Sequence, residues 1–151
     1  MTSYDSTQDT NKHINTVRVF LAAAIYNFEQ RRLEHDASKL LPPEKQVFDE
    51  FTPQLRELTY GSDEYKQALT SMGEGLTHHY AVNSHHPEHY ENGINGMSLF
   101  DLLEMLADWK AAAQRHADGN LKDSLEINIK RFGMSDQLAE IFRNTIGEMK
   151  W

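Results

Sequence analysis

The chain has 151 residues, of which 39% are hydrophobic and 25% charged, with a formal net charge of −8 and no cysteine. That length supports one domain with a buried core, and the acidic balance excludes binding to a nucleic-acid backbone, which needs a basic surface. The lack of cysteine excludes disulfides and cysteine zinc sites and suits a reducing cytoplasm; there is no signal-peptide pattern and no apolar run of membrane-spanning length.

Residues 1–9 are polar and are expected to form a disordered tail, followed by one helical domain over 10–151. The pattern is helical nearly throughout, with no period-2 alternation and no hairpin signal. Thr10 or Asn11 can cap a first helix whose apolar face holds Val17, Phe20, Leu21, Ala24, Ile25 and Phe28. This pattern continues to about Ser38, and Pro42-Pro43 break it. A second helix restarts near Pro43 with Glu44 in its first turn. Ser62 caps a third from about Asp63 to Gly75 or His79. The stretch from there to Gly96, with Pro87 and Asn92-Gly93, reads as an irregular loop. Ser98 caps a helix with Leu99, Leu102, Leu103 and Leu106 on one face and Asp101, Glu104 and Asp108 on the other. Gly119-Asn120 separates it from a helix over 121–132. Gly133 and Ser135 then end that helix and cap the last one, to about Ile146. Met72, Met97, Met105 and Met134 read as core filling, and His116 as a solvated residue near a helix end. The fold class is all-α, a compact domain of five to seven helices.

Five of the eight histidines fall within residues 78–89: His78, His79, His85, His86 and His89. Upstream stands His35-Asp36-Ala37-Ser38-Lys39. Imidazole and carboxylate are the usual ligands for borderline and hard divalent ions, and without cysteine they are the strong ligands this chain has. His35-Asp36 offers a nitrogen and an oxygen from one segment, and Lys39 lies four residues on, placed to hold an anionic group beside a metal. The alternative is a solvated helix end. Two or three of the five clustered histidines are expected as ligands or as partners of ligands, the others as surface or substrate-facing groups. Asn83 either orients a ligand, bonds a substrate or turns the chain. Glu88 is either a general base or a helix-start carboxylate. The acidic stripe Asp101, Glu104, Asp108 reads either as a solvated face or, in a metal site, as a buried Asp108 with Asp101 left wet.

The order of these segments resembles the HD superfamily of metal-dependent hydrolases, which arranges its ligands as a His, a His-Asp pair and a distant Asp. Here His13, His35-Asp36 and Asp108 match. His35-Asp36-Ala37-Ser38-Lys39 is similar to the His-Asp-x-Gly-Lys form of the cyclic-dinucleotide phosphodiesterase and diiron oxygenase branches, with Ser38 in place of the Gly. His85-His86-Pro87-Glu88 looks like the His-His-x-Glu segment of the former, without the Gly-Tyr-Pro that follows there. The whole set, from His13 through Glu44, His79, Asn83, His85-His86 and Glu88 to Asp108, also resembles a small phage and bacterial HD-like family of uncharacterised function.

The resemblance implies an HD-like helical fold and one or two divalent ions (Mn, Fe, Co, Ni, Zn or Mg) held by His13, His35, Asp36, His79, His86 and Asp108. It implies a phosphohydrolase acting on a small phosphorylated substrate, a nucleotide by expectation. Lys39 would neutralise phosphate, Asn83 and His85 would meet the substrate, and Glu88, Glu44 or a spare histidine would handle protons. A diiron oxygenase and a non-enzymatic protein that sequesters a nucleotide remain as alternatives, and self-association is left open. A straight helix from residue 13 to residue 35 would hold His13 and His35 about 33 Å apart, at 1.5 Å per residue. Either the chain turns near Tyr26-Asn27 or His13 is an ordinary helix residue; the resemblance favours the turn.

Overall fold

The computed structural model describes residues 4–115 and 119–151, so His116 lies outside the described residues. The fold is all-α, with seven α-helices and no strand among the described residues. No helix among them is long and apolar enough to cross a membrane. The chain divides into two compact units, Met1–His35 and Asp36–Trp151.

The first unit is one unbroken helix, α1 (Thr7–Glu34), which starts inside the expected tail. The expected turn near Asn27 is absent. Ala22-Ala23-Ala24 has the highest helix propensity, and no Gly or Pro interrupts the stretch. The Asn27 side chain works along the helix instead, its Oδ1 accepting from Arg31 Nε at 3.0 Å. Arg32 pairs with Glu29 one turn back at 2.6 Å. His13 and His35 are therefore separated by about 33 Å of helix. His13 is corrected to an exposed helix residue that cannot share an ion with His35. His35 closes α1, its backbone N–H on the Arg31 carbonyl at 2.8 Å.

The second unit opens at Asp36, whose backbone is left-handed at φ 56°. Aspartate tolerates that conformation better than most side chains. A short 3₁₀ turn (Ala37–Leu40) follows, then α2 (Glu44–Glu57), which starts where Pro42-Pro43 predicts. The single helix expected from Asp63 onward is two, α3 (Asp63–Ser71) and α4 (Gly73–Val82), because Gly73 takes a positive φ of 53° at the joint. Ser62 caps α3 as expected, accepting from Tyr65 N–H at 3.1 Å. The histidine loop contains two short 3₁₀ turns, Pro87–His89 and Gly93–Gly96. Helices α5 (Leu99–Ala113), α6 (Leu121–Phe132) and α7 (Asp136–Met149) complete the unit.

Its core lies among α5, α6 and α7. Met105, Leu106, Leu121, Leu125, Phe142 and Ile146 are buried together with Ile94 of the loop and Met134. Met72 is buried as well, and Met97 packs against this core from the side.

Helices α2 and α4 meet at Gly75, where a β-carbon would lie 2.6 Å from Val47 Cγ2. One turn further along α4 is His79, and one turn before Val47 on α2 is Glu44, so the bare glycine sets how closely those two side chains approach. Gly75→Ala should lower stability by about 1–3 kcal/mol through overpacking, despite the better helix propensity of alanine. It should also weaken any metal bound through His79. Thermal melts and a metal titration on the variant check both effects; an unchanged melt and titration would remove Gly75 from this role.

Candidate metal centre

Three elements of the second unit supply the site: the turn after Asp36, the end of α4 with its following loop, and one face of α5. Glu44 is fully buried at the start of α2. It accepts from His78 Nδ1 at 2.8 Å on one oxygen, and on the other from His79 Nδ1 at 2.8 Å and Ser38 Oγ at 2.9 Å. Burial pushes its pKa up, but the hydrogen bonds from His78, Ser38 and His79 outweigh that and hold it below the usual glutamate range. Because the carboxylate takes the Nδ1 proton, His79 keeps Nε2 as a bare lone pair.

His85 has the same arrangement with a different carboxylate. It is 2% exposed, and its Nδ1 lies 3.2 Å from Glu104 Oε1 on α5. The Nε2 atoms of His79 and His85 each lie 3.5 Å from the same oxygen, Asp36 Oδ1. His86 Nε2 lies 2.9 Å from His79 Nε2. Atoms of Asp36, His79, His85 and His86 thus lie within 4.8 Å of one another. Two ligands of one ion, each about 2.0–2.2 Å from it, can lie no more than about 4.4 Å apart, and the three distances just given fall inside that limit. A nitrogen-rich set with one carboxylate, its imidazoles backed by further carboxylates, suits a divalent transition ion.

Burial lowers the pKa of His79, with the Lys39 charge adding to the effect and Asp36 and Glu44 opposing it. Burial also lowers that of His86, reinforced by His85 and His79. Both rings are therefore neutral near pH 7, the state in which imidazole ligates.

The loop is held by Asp101, which is 2% exposed. One of its oxygens accepts from Ser84 Oγ at 2.7 Å, the other from Tyr90 OH at 2.8 Å and from Ser98 N–H and Oγ at 2.8 and 2.6 Å. Ser98 Oγ accepts in return from Asp101 N–H, completing a capping box at the start of α5. Asp101, Glu104 and Asp108 share one helix face, and all three serve the site region: the first anchors the loop, the second turns His85, and the third lines the cavity in front of the cluster. The expectation of a wet Asp101 is corrected, because three segments need its carboxylate as their shared acceptor.

That cavity, of about 980 Å³, is lined near the cluster by Asp36, Lys39, His79, His86 and Asp108. Lys39 Nζ lies 2.6 Å from Asp36 Oδ2 and 4.8 Å from the centre of the Phe48 ring.

Several expected roles change. Asn83 donates to Ser38 Oγ and to the His79 carbonyl, both at 2.9 Å, so it clamps the loop rather than facing a substrate. His85 is enclosed within the cluster instead of meeting substrate. Glu44, expected to handle protons, is buried on His78, His79 and Ser38. Glu88 is paired with Arg131 at 2.7 Å, which ties up the proposed base. His89 lies outside the cluster, exposed, its Nδ1 2.9 Å from the Tyr80 carbonyl oxygen. Glu104 belongs to the acidic stripe read from the sequence but carries no site role there; the structure places it beside His85.

An all-α chain with a histidine–carboxylate cluster at a loop over a helix face is the class these features define. A family model matches residues 2–148, and the chain belongs to that family, described as a family of unknown function (DUF5662). No curated protein and no solved structure matches it.

Proposed function

We propose that this protein is a metal-dependent phosphohydrolase acting on a small nucleotide or another phosphate ester. The observation that carries the reading is the paired geometry of His79 and His85. Each has its Nδ1 beside a carboxylate, Glu44 or Glu104, and its Nε2 3.5 Å from the one oxygen of Asp36. Arranging two histidines this way confines five titratable groups in one small volume, and the arrangement is the one in which second-sphere carboxylates orient metal ligands.

In this reading Asp36, His79, His85 and His86 hold the ion, with Asp108 as a further oxygen donor beside the cavity. His35 is carried by the His-Asp resemblance, as the sequence neighbour of Asp36. A divalent ion bound there supplies Lewis acidity toward a phosphoryl oxygen and makes water a better nucleophile near neutral pH. Lys39 supplies a fixed positive charge on the cavity wall, held by Asp36 and by the face of Phe48, where it can offset phosphate charge. Glu44 and Glu104 keep the two rings in one tautomer and one orientation. Glu88, committed to Arg131, takes no proton-transfer role.

Elemental analysis of the purified protein, followed by a nucleotide panel with the metal found, tests the reading. Product release of phosphate, pyrophosphate or triphosphate, or opening of a cyclic phosphodiester, is the expected result. Lys39→Ala should cut turnover by about 10²-fold while the metal content stays that of wild type. Nucleotide binding without product under any metal would favour sequestration instead. A requirement for iron and dioxygen would favour an oxygenase.

A further inference from the structure

The metal-side cavity does not end at the cluster. Its far wall holds Tyr60, Tyr65, Tyr80, Glu88 and Arg131. The same five residues, with Leu69 and Leu76, also line a second cavity of about 780 Å³ that reaches Ile127 and Gly61. Three tyrosines and one guanidinium thus stand between a polar compartment and a more apolar one. The phosphohydrolase reading uses none of the tyrosines and does not use Arg131.

This wall is built to keep its shape. Arg131 Nη2 donates to Glu88 Oε1 at 2.7 Å. Tyr60 OH donates to Asn128 Oδ1 at 3.1 Å, and Asn128 is fully buried and spends an amide hydrogen on the Ser124 carbonyl at 3.0 Å. The Tyr60 and Tyr65 rings meet edge to face with centres 5.2 Å apart. A guanidinium paired with Glu88, a Tyr60 ring held by its hydroxyl and a Tyr65 ring packed edge to face against it form flat, polar-edged surfaces. Such surfaces recognise a flat ring by stacking and by hydrogen bonds at its edge. An alkyl chain would need a uniformly apolar groove instead.

We infer that Tyr60, Tyr65, Tyr80 and Arg131 form a specificity site for a planar aromatic group of the substrate, a nucleobase or an aryl ring, while the polar end of the same molecule reaches the Asp36 cluster. The inference rests on the phosphohydrolase reading for the polar end, but the ring site can be tested without it. The Glu88–Arg131 pair sets the plane of the guanidinium, and Tyr60 and Tyr80 set the faces on which the ring lies.

Isothermal titration of the full chain with two pairs of probes separates these parts. With metal present, adenosine 5′-phosphate should bind at least about ten-fold more tightly than ribose 5-phosphate, the effect of stacking one ring. Without metal, adenosine should bind and ribose should not. Tyr60→Leu and Arg131→Ala should each erase most of the difference while leaving ribose 5-phosphate affinity and metal content unchanged. Should either variant fail to fold, the wild-type comparisons still decide. Phenyl phosphate against hexyl phosphate distinguishes ring recognition from general apolar binding, and phenyl phosphate should win. Equal affinities within the first two pairs, or a preference for hexyl phosphate, would overturn the ring site. Loss of metal uptake with adenosine binding intact would instead count against the metal reading alone.

Discussion

Replacing Asp36 by alanine is expected to abolish binding of divalent transition metal, measured by mass spectrometry of the purified protein and by the thermal shift on adding Mn, Fe, Co, Ni or Zn. Asp36 contributes the one oxygen that faces both His79 Nε2 and His85 Nε2 at 3.5 Å, and its other oxygen holds Lys39 at 2.6 Å. Its removal takes an anion out of a cluster that is otherwise imidazole nitrogen, and it frees the Lys39 charge to repel a cation. Alanine also tolerates the left-handed backbone at φ 56° less well, at a cost of about 1–2 kcal/mol. Asp36→Asn separates the two effects, since asparagine tolerates that backbone but lacks the charge. It should fold like wild type and still lose most of its metal affinity. If Asp36→Asn retained wild-type metal content, Asp36 would not be a ligand. Glu104→Gln should be milder, lowering metal affinity by about 10–100-fold through His85 orientation.

The second large effect is on stability. Asp101→Ala should destabilise the protein by roughly 2–4 kcal/mol, because it removes a buried, ionised acceptor shared by Ser98 and the half-buried Ser84 and Tyr90 and leaves their donors unmatched. The same carboxylate shapes the acid limb of stability. Burial raises its pKa, but the hydrogen bonds from Ser98, Ser84 and Tyr90 outweigh burial and hold it well below the usual aspartate range. A depressed folded-state pKa means stability that is fully present above the unfolded value, about 3.9. That stability is lost as the pH falls below it toward the lower folded value. Melting temperature should therefore fall below about pH 4 in wild type, and Asp101→Asn should flatten that part of the curve while lowering the plateau. Parallel acid limbs in the two proteins would show that Asp101 titrates alike in both states.

Much of the helix pattern was readable because its signals are local. Ser62, Ser98, Asn120 and Ser135 each cap the helix that follows, and Gly133 takes the left-handed conformation after α6. The split between α3 and α4 was not readable, since a glycine is tolerated inside a helix and nothing local says that Gly73 will take a positive φ. The continuity of α1 is readable from Ala22-Ala23-Ala24, whereas the turn that the resemblance implies has no local chemistry to supply it. In the site, histidine and aspartate identities marked His79, His86 and Asp36 as candidates. What sequence could not assign was the division of labour. Whether Glu44 moves protons or orients rings, and whether His85 meets substrate or sits behind Asp36, depends on contacts between residues 19 to 35 positions apart.

Ser38 stands where the resembling branches carry glycine, and its hydroxyl is occupied on both sides. It donates to Glu44 and accepts from Asn83, while Glu44 holds His79 and Asn83 holds the His79 carbonyl. The short segment around residue 38 and the segment from 79 to 83 are thus one closed hydrogen-bonded ring rather than two separate motifs. The ring couples the two positions physically: replacing Ser38 leaves an Asn83 donor without its acceptor, so a chimera that imports one segment without the other inherits a broken circuit.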